Sequence, residues 1–360
     1  MVLFNLHPSH SSLIANSHSI AIDKQIEEDA KRFKRECKIL LLGTRGAGKS
    51  TIFKQMRIIH SNGFSVGEKE KYREAVYMNV LESIHAIITV LRKHHLDLDL
   101  EYGNRTFANT IMNYEVDAYG FRLTEDIALA IDKMWKDPVI TKILEERGSE
   151  FLNLMHTADY FLSEITRIGS PTYIPNETDL LHIHQKTTSV TEARFAMDQL
   201  SIHISDVSGL HSERRKWISC FECATSIIFC TALSEYDRFS DFDWGKPQNQ
   251  MEESLILFES IINSRWFLRT SIILFLNKID IFRRKLSKVP LEKSFPEYTG
   301  GNDINKAAKY ILWKFMQANR ARLSVYPHLT QATDTSAVRL VFAAVKETII
   351  QNELKASGIL

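Results

Sequence analysis

Short apolar runs alternate with longer amphipathic segments along most of the chain. The runs have strand length, and helix-length segments such as STIFKQMRIIH and MEESLILFESIINSRW separate them. The clearest runs are KILLLG at 38–43, SIHISDVSG at 201–209, TSIIFCTAL at 225–233 and TSIILFLNKID at 270–280. This alternation predicts an α/β fold with a mostly parallel sheet and helices on its faces.

Between residues 67 and 180 the pattern is helical throughout. A long apolar stripe runs from Val76 to Leu91, the segment DIALAIDKMW stops before Pro138, and FLNLMHTADYFLSEI again has helical spacing. Strand signals are scarce in this stretch. We therefore predict an inserted all-helical domain at 67–180, with an α/β domain formed by 38–66 and 181–360.

Residues 1–37 differ from both domains. Residues 1–19 are rich in Ser, His and Asn and predict no regular structure. From Ile20 to Cys37 apolar residues recur at helical spacing, with basic residues on the other faces. Such a helix either packs on its own domain or docks on a partner or membrane surface, and the pattern leaves both interpretations open.

Charge and cysteine content narrow the class of protein. The 45 basic and 44 acidic side chains give a net charge of +1, so no overall field attracts nucleic acid. Four cysteines favour free thiols in a reducing compartment. The chain has no run of 18 apolar residues, which predicts that no segment spans a membrane. We expect a cytoplasmic location.

The loop after the first apolar run predicts a phosphate site. Its sequence GTRGAGKS has the form G-x-x-x-x-G-K-[ST], and a helix-forming segment follows it. Glycines let backbone N–H groups surround phosphate, the Lys49 ammonium reaches the β- and γ-oxygens, and the Ser50 hydroxyl coordinates Mg²⁺. ATPases share this motif, so it leaves the base open. The nucleotide-binding residues predicted here are Gly43, Arg45, Gly46, Ala47, Gly48, Lys49, Ser50 and Thr51.

A second motif identifies the base as guanine. Asn277-Lys278-Ile279-Asp280 follows a buried strand, and the Asp280 carboxylate can accept from both N1–H and the exocyclic amino group of guanine. Adenine lacks that pair of donors. Farther on, Thr330-Gln-Ala-Thr333 is placed to offer the Ala332 N–H to the guanine carbonyl.

Two further segments predict a response to the terminal phosphate. Thr187, in the polar stretch Lys186-Thr187-Thr188, is placed to be a second hydroxyl ligand of Mg²⁺. Asp206 would hold the same ion through water, and the Gly209 N–H would meet the γ-phosphate. The alternative for the Thr-rich stretch is a solvated loop without function.

Taken together these segments resemble the alpha subunit of heterotrimeric G proteins, and the C-terminal third is most similar to filamentous-fungal members. The segments that carry the resemblance are KILLLGTRGAGKSTIFKQMRIIH, DVSGLHSERRKWISCFE, ALSEYD, MEESLILFESI, SIILFLNKIDIF, FPEYTGG and TQATDTSAVRLVFAAVKETI. The resemblance implies a Ras-like GTPase domain with a helical lid, and GTP or GDP with Mg²⁺ as ligands. It also implies a beta-gamma dimer on the helix at 20–37 and near Trp217, and a receptor at 352–360.

The chain departs from this family at the positions that carry hydrolysis. The family has a catalytic glutamine where this chain has Leu210, and a catalytic arginine where it has His184. A leucine side chain can neither donate to the attacking water nor accept from it. A mostly neutral histidine is a poor substitute for a fixed cation. Lys49 is the retained catalytic cation. The expectation is a switch that binds nucleotide and hydrolyses GTP very slowly.

Other departures concern the rest of the site. Arg45 replaces a glycine that leaves room beside the γ-phosphate, so its side chain is expected to crowd the groups that take part in hydrolysis. The alternative is that Arg45 replaces the missing catalytic arginine, but its side chain leaves the wrong edge of the loop for that role. Gly46 replaces a glutamate and Ser208 a glycine of the switch. His156-Thr157 replaces Asp-Ser of the lid, with Thr157 still expected near the nucleotide. These changes support a second hypothesis, a scaffold that binds beta-gamma or receptor without hydrolysing GTP.

Membrane attachment is expected to depend on partners. Residue 2 is Val rather than the Gly that myristoylation needs, and no cysteine precedes Cys37. A peripheral position at the inner face of the plasma membrane would then rest on the partner dimer or on the weak basic face of residues 31–35.

Overall fold

The computed structural model describes residues 22–25, 36–98, 100–114, 122–146, 155–185, 189–197, 200–209, 214, 217–221, 224–240, 248–268 and 270–356. The strands are β1 Glu36–Gly43, β2 Thr191–Met197, β3 Leu200–Asp206, β4 Ser226–Ala232, β5 Phe239–Ser240, β6 Gln248–Asn249, β7 Ser271–Asn277 and β8 Val325–Leu329. The helices before the second strand are α1 Lys49–His60, α2 Val66–Lys71, α3 Arg73–Lys93, α4 Tyr102–Met112, α5 Glu125–Trp135, α6 Pro138–Glu146, α7 Met155–Ser163, α8 Ile165–Ile168 and α9 Glu177–His182. The later helices are α10 Ile218–Phe221, α11 Gln250–Ile262, α12 Ile279–Leu286, α13 Ile304–Gln317 and α14 Thr335–Ala356.

One six-stranded sheet organises the α/β domain. Its order is β2-β3-β1-β4-β7-β8, and every neighbouring pair is parallel except the antiparallel edge pair β2 and β3. The strand order reverses at β1, which lies between β3 and β4. Ligands of open α/β sheets bind outside the carboxyl ends of the strands at such a reversal. The loop after β1 is therefore the expected binding position.

Apolar clusters cover both faces of this sheet. On one face Leu40, Leu42 and Phe229 pack with side chains of α11 and α13, including Phe258 and Phe315. The opposite face forms a second cluster against α1 and α14, built on alternate residues of β1. Its central members are Ile39, Leu41, Met56, Phe275 and Phe342. Burial on both faces explains why the central strands are almost continuously apolar.

A third apolar cluster belongs to the helices between Val66 and Ile183. The buried face of α3 forms its centre, and the fully buried Phe161 of α7 packs in the same cluster. Among the described residues, Val66–Lys93 is the stretch long and apolar enough to cross a membrane, and 56% of its most apolar window is buried inside the protein. We interpret it as the core helix of this second lobe. The helical insert and the parallel sheet both agree with the fold predicted from the sequence.

The N-terminal strand begins earlier than predicted. The sequence assigned Cys37 to the end of an amphipathic helix, whereas the structure places Glu36 and Cys37 in β1. Cys37 is fully buried and is paired with Ile202 of β3, so sheet pairing determines its conformation. Of the predicted helix itself, residues 22–25 are described and are helical.

The two edge strands were not predicted. In β2 only Phe195 is buried among the residues whose burial is described, so the segment lacks a clear apolar face. Strand β8 has Pro327 at its centre and partly exposed residues on either side. Proline lacks a backbone donor and is tolerated at an edge, where β8 lies next to β7 alone.

A glycine is required at position 43, where β1 passes into the following loop. Its φ is +137°, and an added Cβ would lie 2.1 Å from the Cys230 carbonyl oxygen of β4. We expect Gly43→Ala to lower the free energy of unfolding by more than about 2 kcal/mol, measured by urea denaturation. The control is Gly67→Ala in α2, where an added Cβ would meet nothing within 4 Å. Equal effects of the two substitutions would contradict the steric argument.

Candidate nucleotide-binding site

The loop after β1 is shaped by glycine and leaves the start of α1 uncapped by side chains. Gly43, Gly46 and Gly48 have φ values of +137°, +76° and +96°. Helix α1 begins at Lys49 after Gly48, with no side-chain cap and no acidic residue in its first turn. A helix N-terminus offers backbone N–H groups and partial positive charge to an anion. Ser50 and Thr51 also lie in this first turn, so the loop presents the chemistry of a phosphate site.

Lys49 and Asp206 form the buried charged centre of the site. The Lys49 ammonium donates to the carbonyl oxygens of Gly43 at 3.0 Å and Thr44 at 2.9 Å. Burial lowers the pKa of Lys49, and the Asp206 carboxylate opposes that shift. Burial also raises the pKa of Asp206, against a hydrogen bond from Ser50 and the charge of Lys49.

One oxygen of Asp206 lacks a partner. Asp206 is only 2% exposed, and its Oδ1 has no hydrogen bond among the described residues. An unsatisfied buried carboxylate oxygen is costly unless a cation or donor meets it. With the Ser50 hydroxyl beside it, the oxygen donors suit a hard divalent cation. The residues present therefore fit a magnesium ion.

The backbone of Gly209 lies directly against the phosphate loop. An added Cβ would be 2.6 Å from both the Arg45 nitrogen and the Lys49 Nζ, so no larger residue fits in this conformation. The Gly209 carbonyl accepts from Arg214 at 3.4 Å, and Arg214 pairs with Glu253 of α11. Arg214 therefore connects the Gly209 backbone to α11.

Ser208, next to it, is hydrogen-bonded to Trp217, near which the sequence predicted a beta-gamma contact. The indole of Trp217 donates to the Ser208 carbonyl at 2.9 Å, and Trp217 is 4% exposed while the next residue, Ile218, is 63% exposed. Ser208 is absent from the non-glycine residues with positive φ in the described part, so it does not need the freedom of glycine here. The serine is compatible with this arrangement of the switch.

Asn277 joins three loops at the carboxyl edge of the sheet. Its Nδ2 donates to the Ala47 carbonyl at 2.9 Å, and its Oδ1 accepts from the Ala332 N–H at 3.0 Å and the Thr330 hydroxyl at 3.2 Å. The sequence predicted the Ala332 N–H for the base, and in this structure it donates to Asn277. The Ala332 N–H therefore helps to hold its loop against Asn277.

Lys278 and Asp280, which the sequence predicted to bind guanine, follow Asn277 in a sharp turn. Lys278 has a left-handed φ of +60°, and its ammonium pairs with Glu235 at 3.2 Å. Asp280 lies in the first turn of α12 with intermediate exposure. Glu235 also pairs with Arg238. This edge of the site thus contains several charges held in pairs.

His184 stands near this charged edge with its side chain exposed. Partial desolvation, followed by the positive charges of Lys278, Arg45 and Arg238, lowers the pKa of His184 below its usual 6.5. Its backbone is fixed by Asn79 of α3, which accepts from the His184 N–H and donates to its carbonyl. The backbone at position 184 is therefore held by two hydrogen bonds, and the lowered pKa favours the neutral form of its side chain.

Several predicted residues lie outside the described part. These are Thr187 and Leu210, residues 20–21 and 26–35 of the predicted N-terminal partner segment, and residues 357–360 of the predicted receptor segment. The backbone of His156 and Thr157 belongs to α7, and Thr157 is partly exposed. Helix α14 reaches Ala356, so the start of the predicted receptor segment is helical.

Sequence reasoning missed the polar residues that connect the loops to one another. Gln55 of α1 is fully buried and donates to the Ala332 carbonyl at 2.8 Å. Lys54 beside it donates to the Leu180 carbonyl of α9 at 2.8 Å. Two consecutive polar residues amid the apolar positions of α1 were the available signal, since buried polar side chains need partners.

Comparison with known proteins agrees with this site. A family model described as G-protein alpha subunit matches residues 16–349. The guanine nucleotide-binding protein alpha-3 subunit of Mycosarcoma maydis is 59% identical over 347 residues, which cover 96% of this chain and 97% of the relative. The alpha-3 subunit of Neurospora crassa is 53% identical over 342 residues, covering 94% of each. A subunit alpha of Cryptococcus neoformans is 59% identical over 340 residues, covering 94% of this chain and 78% of the relative. The chain therefore belongs to the G-protein alpha subunit family, a family of guanine-nucleotide-binding signal transducers.

Proposed function

We propose that this chain is a magnesium-dependent guanine-nucleotide switch that hydrolyses GTP very slowly and couples a membrane receptor to an effector. A beta-gamma dimer is its expected partner, on the N-terminal helix and near Trp217, and the receptor is expected at the C-terminal segment. We propose that it works at the inner face of the plasma membrane through these partners. Family membership supports this general role.

One observation supports the proposal most directly. The groups proposed to bind nucleotide lie at one edge of the sheet, where Asp206 and Asn277 end β3 and β7 and Lys49 begins the helix after the β1 loop. The groups needed for hydrolysis are replaced, by His184 and Leu210. Binding without rapid turnover follows from that combination.

The proposed chemistry is in-line attack of water on the γ-phosphorus. The bond from phosphorus to the β–γ bridging oxygen breaks, and GDP leaves with the electron pair. Lys49 supplies positive charge to the β- and γ-oxygens, and the Gly209 N–H donates to the γ-phosphate. Ser50, Thr187 and, through water, Asp206 would hold Mg²⁺, which would supply further positive charge beside the phosphates. Leu210 provides no group that orients the attacking water.

Restoring the two catalytic positions should restore turnover. We expect the double variant His184→Arg, Leu210→Gln to hydrolyse pre-bound GTP at least about 100-fold faster in single-turnover assays. The arginine alone is worth about 10³ to 10⁵ in turnover, a value established for G-protein alpha subunits themselves. The control is His203→Arg, which adds the same charge on β3 beside Glu192. A parent chain that already turns over as fast as the double variant would contradict the proposal.

The parent chain should gain little from mild acid. Because the pKa of His184 lies below 6.5, the imidazole is neutral at pH 7 and becomes cationic only at lower pH. We expect the single-turnover rate to be flat between pH 8 and 7 and to rise below about pH 6. In His184→Arg the profile should stay flat, since arginine is charged throughout. A rise between pH 8 and 7 in the parent would exclude this assignment.

Magnesium dependence can be separated from folding at Asp206. Asp206→Asn keeps the shape of the side chain and removes the carboxylate whose Oδ1 lacks a hydrogen bond, so its melting temperature without Mg²⁺ and nucleotide is the baseline for the comparison. With a non-hydrolysable GTP analogue, Mg²⁺ should raise the melting temperature of the parent and raise that of the variant much less. Asp132→Asn, which breaks a surface pair with Lys136 far along the helical lobe, is the control. An undiminished magnesium effect in Asp206→Asn would rule out this ligand.

A scaffold without nucleotide is the second candidate. Two features favour it. Gly209 lies close to the Arg45 nitrogen and the Lys49 Nζ, and Lys49 donates to the carbonyls of Gly43 and Thr44 within its own loop. Isothermal calorimetry with GDP and a non-hydrolysable GTP analogue separates the two candidates. Our proposal expects binding of both nucleotides. Binding of neither, with retained binding of a beta-gamma dimer, would favour the scaffold.

A further inference from the structure

Residues 177–185 form a strap between the two lobes, comprising α9 and the three residues after it. From the α/β side, the buried Lys54 of α1 donates to the Leu180 carbonyl at 2.8 Å. From the helical side, Asn79 of α3 binds the backbone of His184. The strap leads directly into the predicted magnesium loop at 186–188. It is therefore one of the covalent connections between the lobes, and it is hydrogen-bonded to both of them.

Asn79 uses both the donor and the acceptor of its side-chain amide on this strap. Its Oδ1 accepts from the His184 N–H at 2.6 Å, and its Nδ2 donates to the His184 carbonyl at 3.1 Å. Asn79 is 5% exposed, so water competes poorly for these groups. Because the Asn79 amide binds both the N–H and the carbonyl of His184, it fixes the backbone on each side of His184. The direction of the His184 side chain follows from that backbone.

That direction matters because the His184 side chain is exposed at the charged edge of the cleft. Lys278, Arg45 and Arg238 all act electrostatically on it. Among the described residues the side-chain hydrogen bonds of Asn79 go to the His184 backbone, so we expect its effect on the cleft to pass through that backbone.

We propose that Asn79 is a positioning residue that holds the His184 backbone, sets the placement of the side chain at position 184 and restrains the hinge between the lobes. Its loss frees the strap, so that bound nucleotide leaves faster and a side chain at position 184 no longer points reliably at the cleft. The nucleotide part of this inference rests on the proposed function. The backbone part does not.

The backbone part is tested by amide hydrogen exchange. In Asn79→Leu, which is similar in size and makes neither hydrogen bond, the His184 amide should exchange at least about tenfold faster than in the parent. In Asn79→Asp the acceptor remains, so that amide should stay closer to the parent rate. The control Asn104→Leu removes a buried asparagine that bonds Asp137 within the helical lobe, and it should leave the His184 amide unchanged. Unchanged exchange in a folded Asn79→Leu would overturn the inference.

The functional part is tested by release of fluorescent GDP and by the arginine rescue. Asn79→Leu should release GDP about tenfold faster, and Asn104→Leu much less. In the His184→Arg, Leu210→Gln background, Asn79→Leu should remove most of the gain in single-turnover rate. Faster amide exchange with unchanged release would overturn the hinge role. Faster amide exchange in a chain that binds no nucleotide would leave the positioning role intact and refute the proposed function.

Discussion

The side-chain amide of Asn277 is the interaction on which the site depends. It carries a donor and an acceptor, and it uses both to join the loops after β1, β7 and β8. An ionised aspartate has no donor and a leucine has neither group, so neither could bridge the Ala47 carbonyl and the Ala332 N–H. Asn277 is 1% exposed, which makes any unmade bond costly. The phosphate loop and the base-reading turn are thereby kept at a fixed spacing.

Local sequence predicted the parts of the site but not how they are connected. The loop from Gly43 to Ser50 and the turn at Asn277 were visible because each is a short motif between a strand and a helix. The bond from Gln55 to Ala332 spans 277 positions and the bond from Asn79 to His184 spans 105. Such contacts follow from tertiary packing, and a single polar residue in an amphipathic helix does not name its partner. Edge strands β2 and β8 were missed for a related reason, since partial exposure removes the apolar pattern that marks a strand.

The contact between Gly209 and the phosphate loop explains how the nucleotide can act at a distance. In the proposed function a γ-phosphate lies between Lys49 and the Gly209 N–H, whereas here an added Cβ on Gly209 would be 2.6 Å from the Lys49 Nζ. Under that proposal, binding of GTP displaces Gly209. The displacement pulls on Arg214 through the Gly209 carbonyl and on Trp217 through the adjacent Ser208 carbonyl. The residues proposed to sense phosphate are thus bonded to Arg214 and Trp217, at the start of the segment proposed to bind beta-gamma.

Under the proposed slow hydrolysis, control of the switch lies in nucleotide release, and so in the contacts between the lobes. The ion pair of Arg284 with Asp159 also crosses from the α/β domain to the helical lobe, but both side chains are 49% exposed. Pairs of that kind contribute between about 0 and 1 kcal/mol. Breaking a buried hydrogen bond and leaving its partner unsatisfied costs about 1 to 3 kcal/mol. The buried Lys54 and Asn79 therefore outweigh the surface pair. Because they hold the same strap from opposite lobes, opening the lid must break at least one of the two.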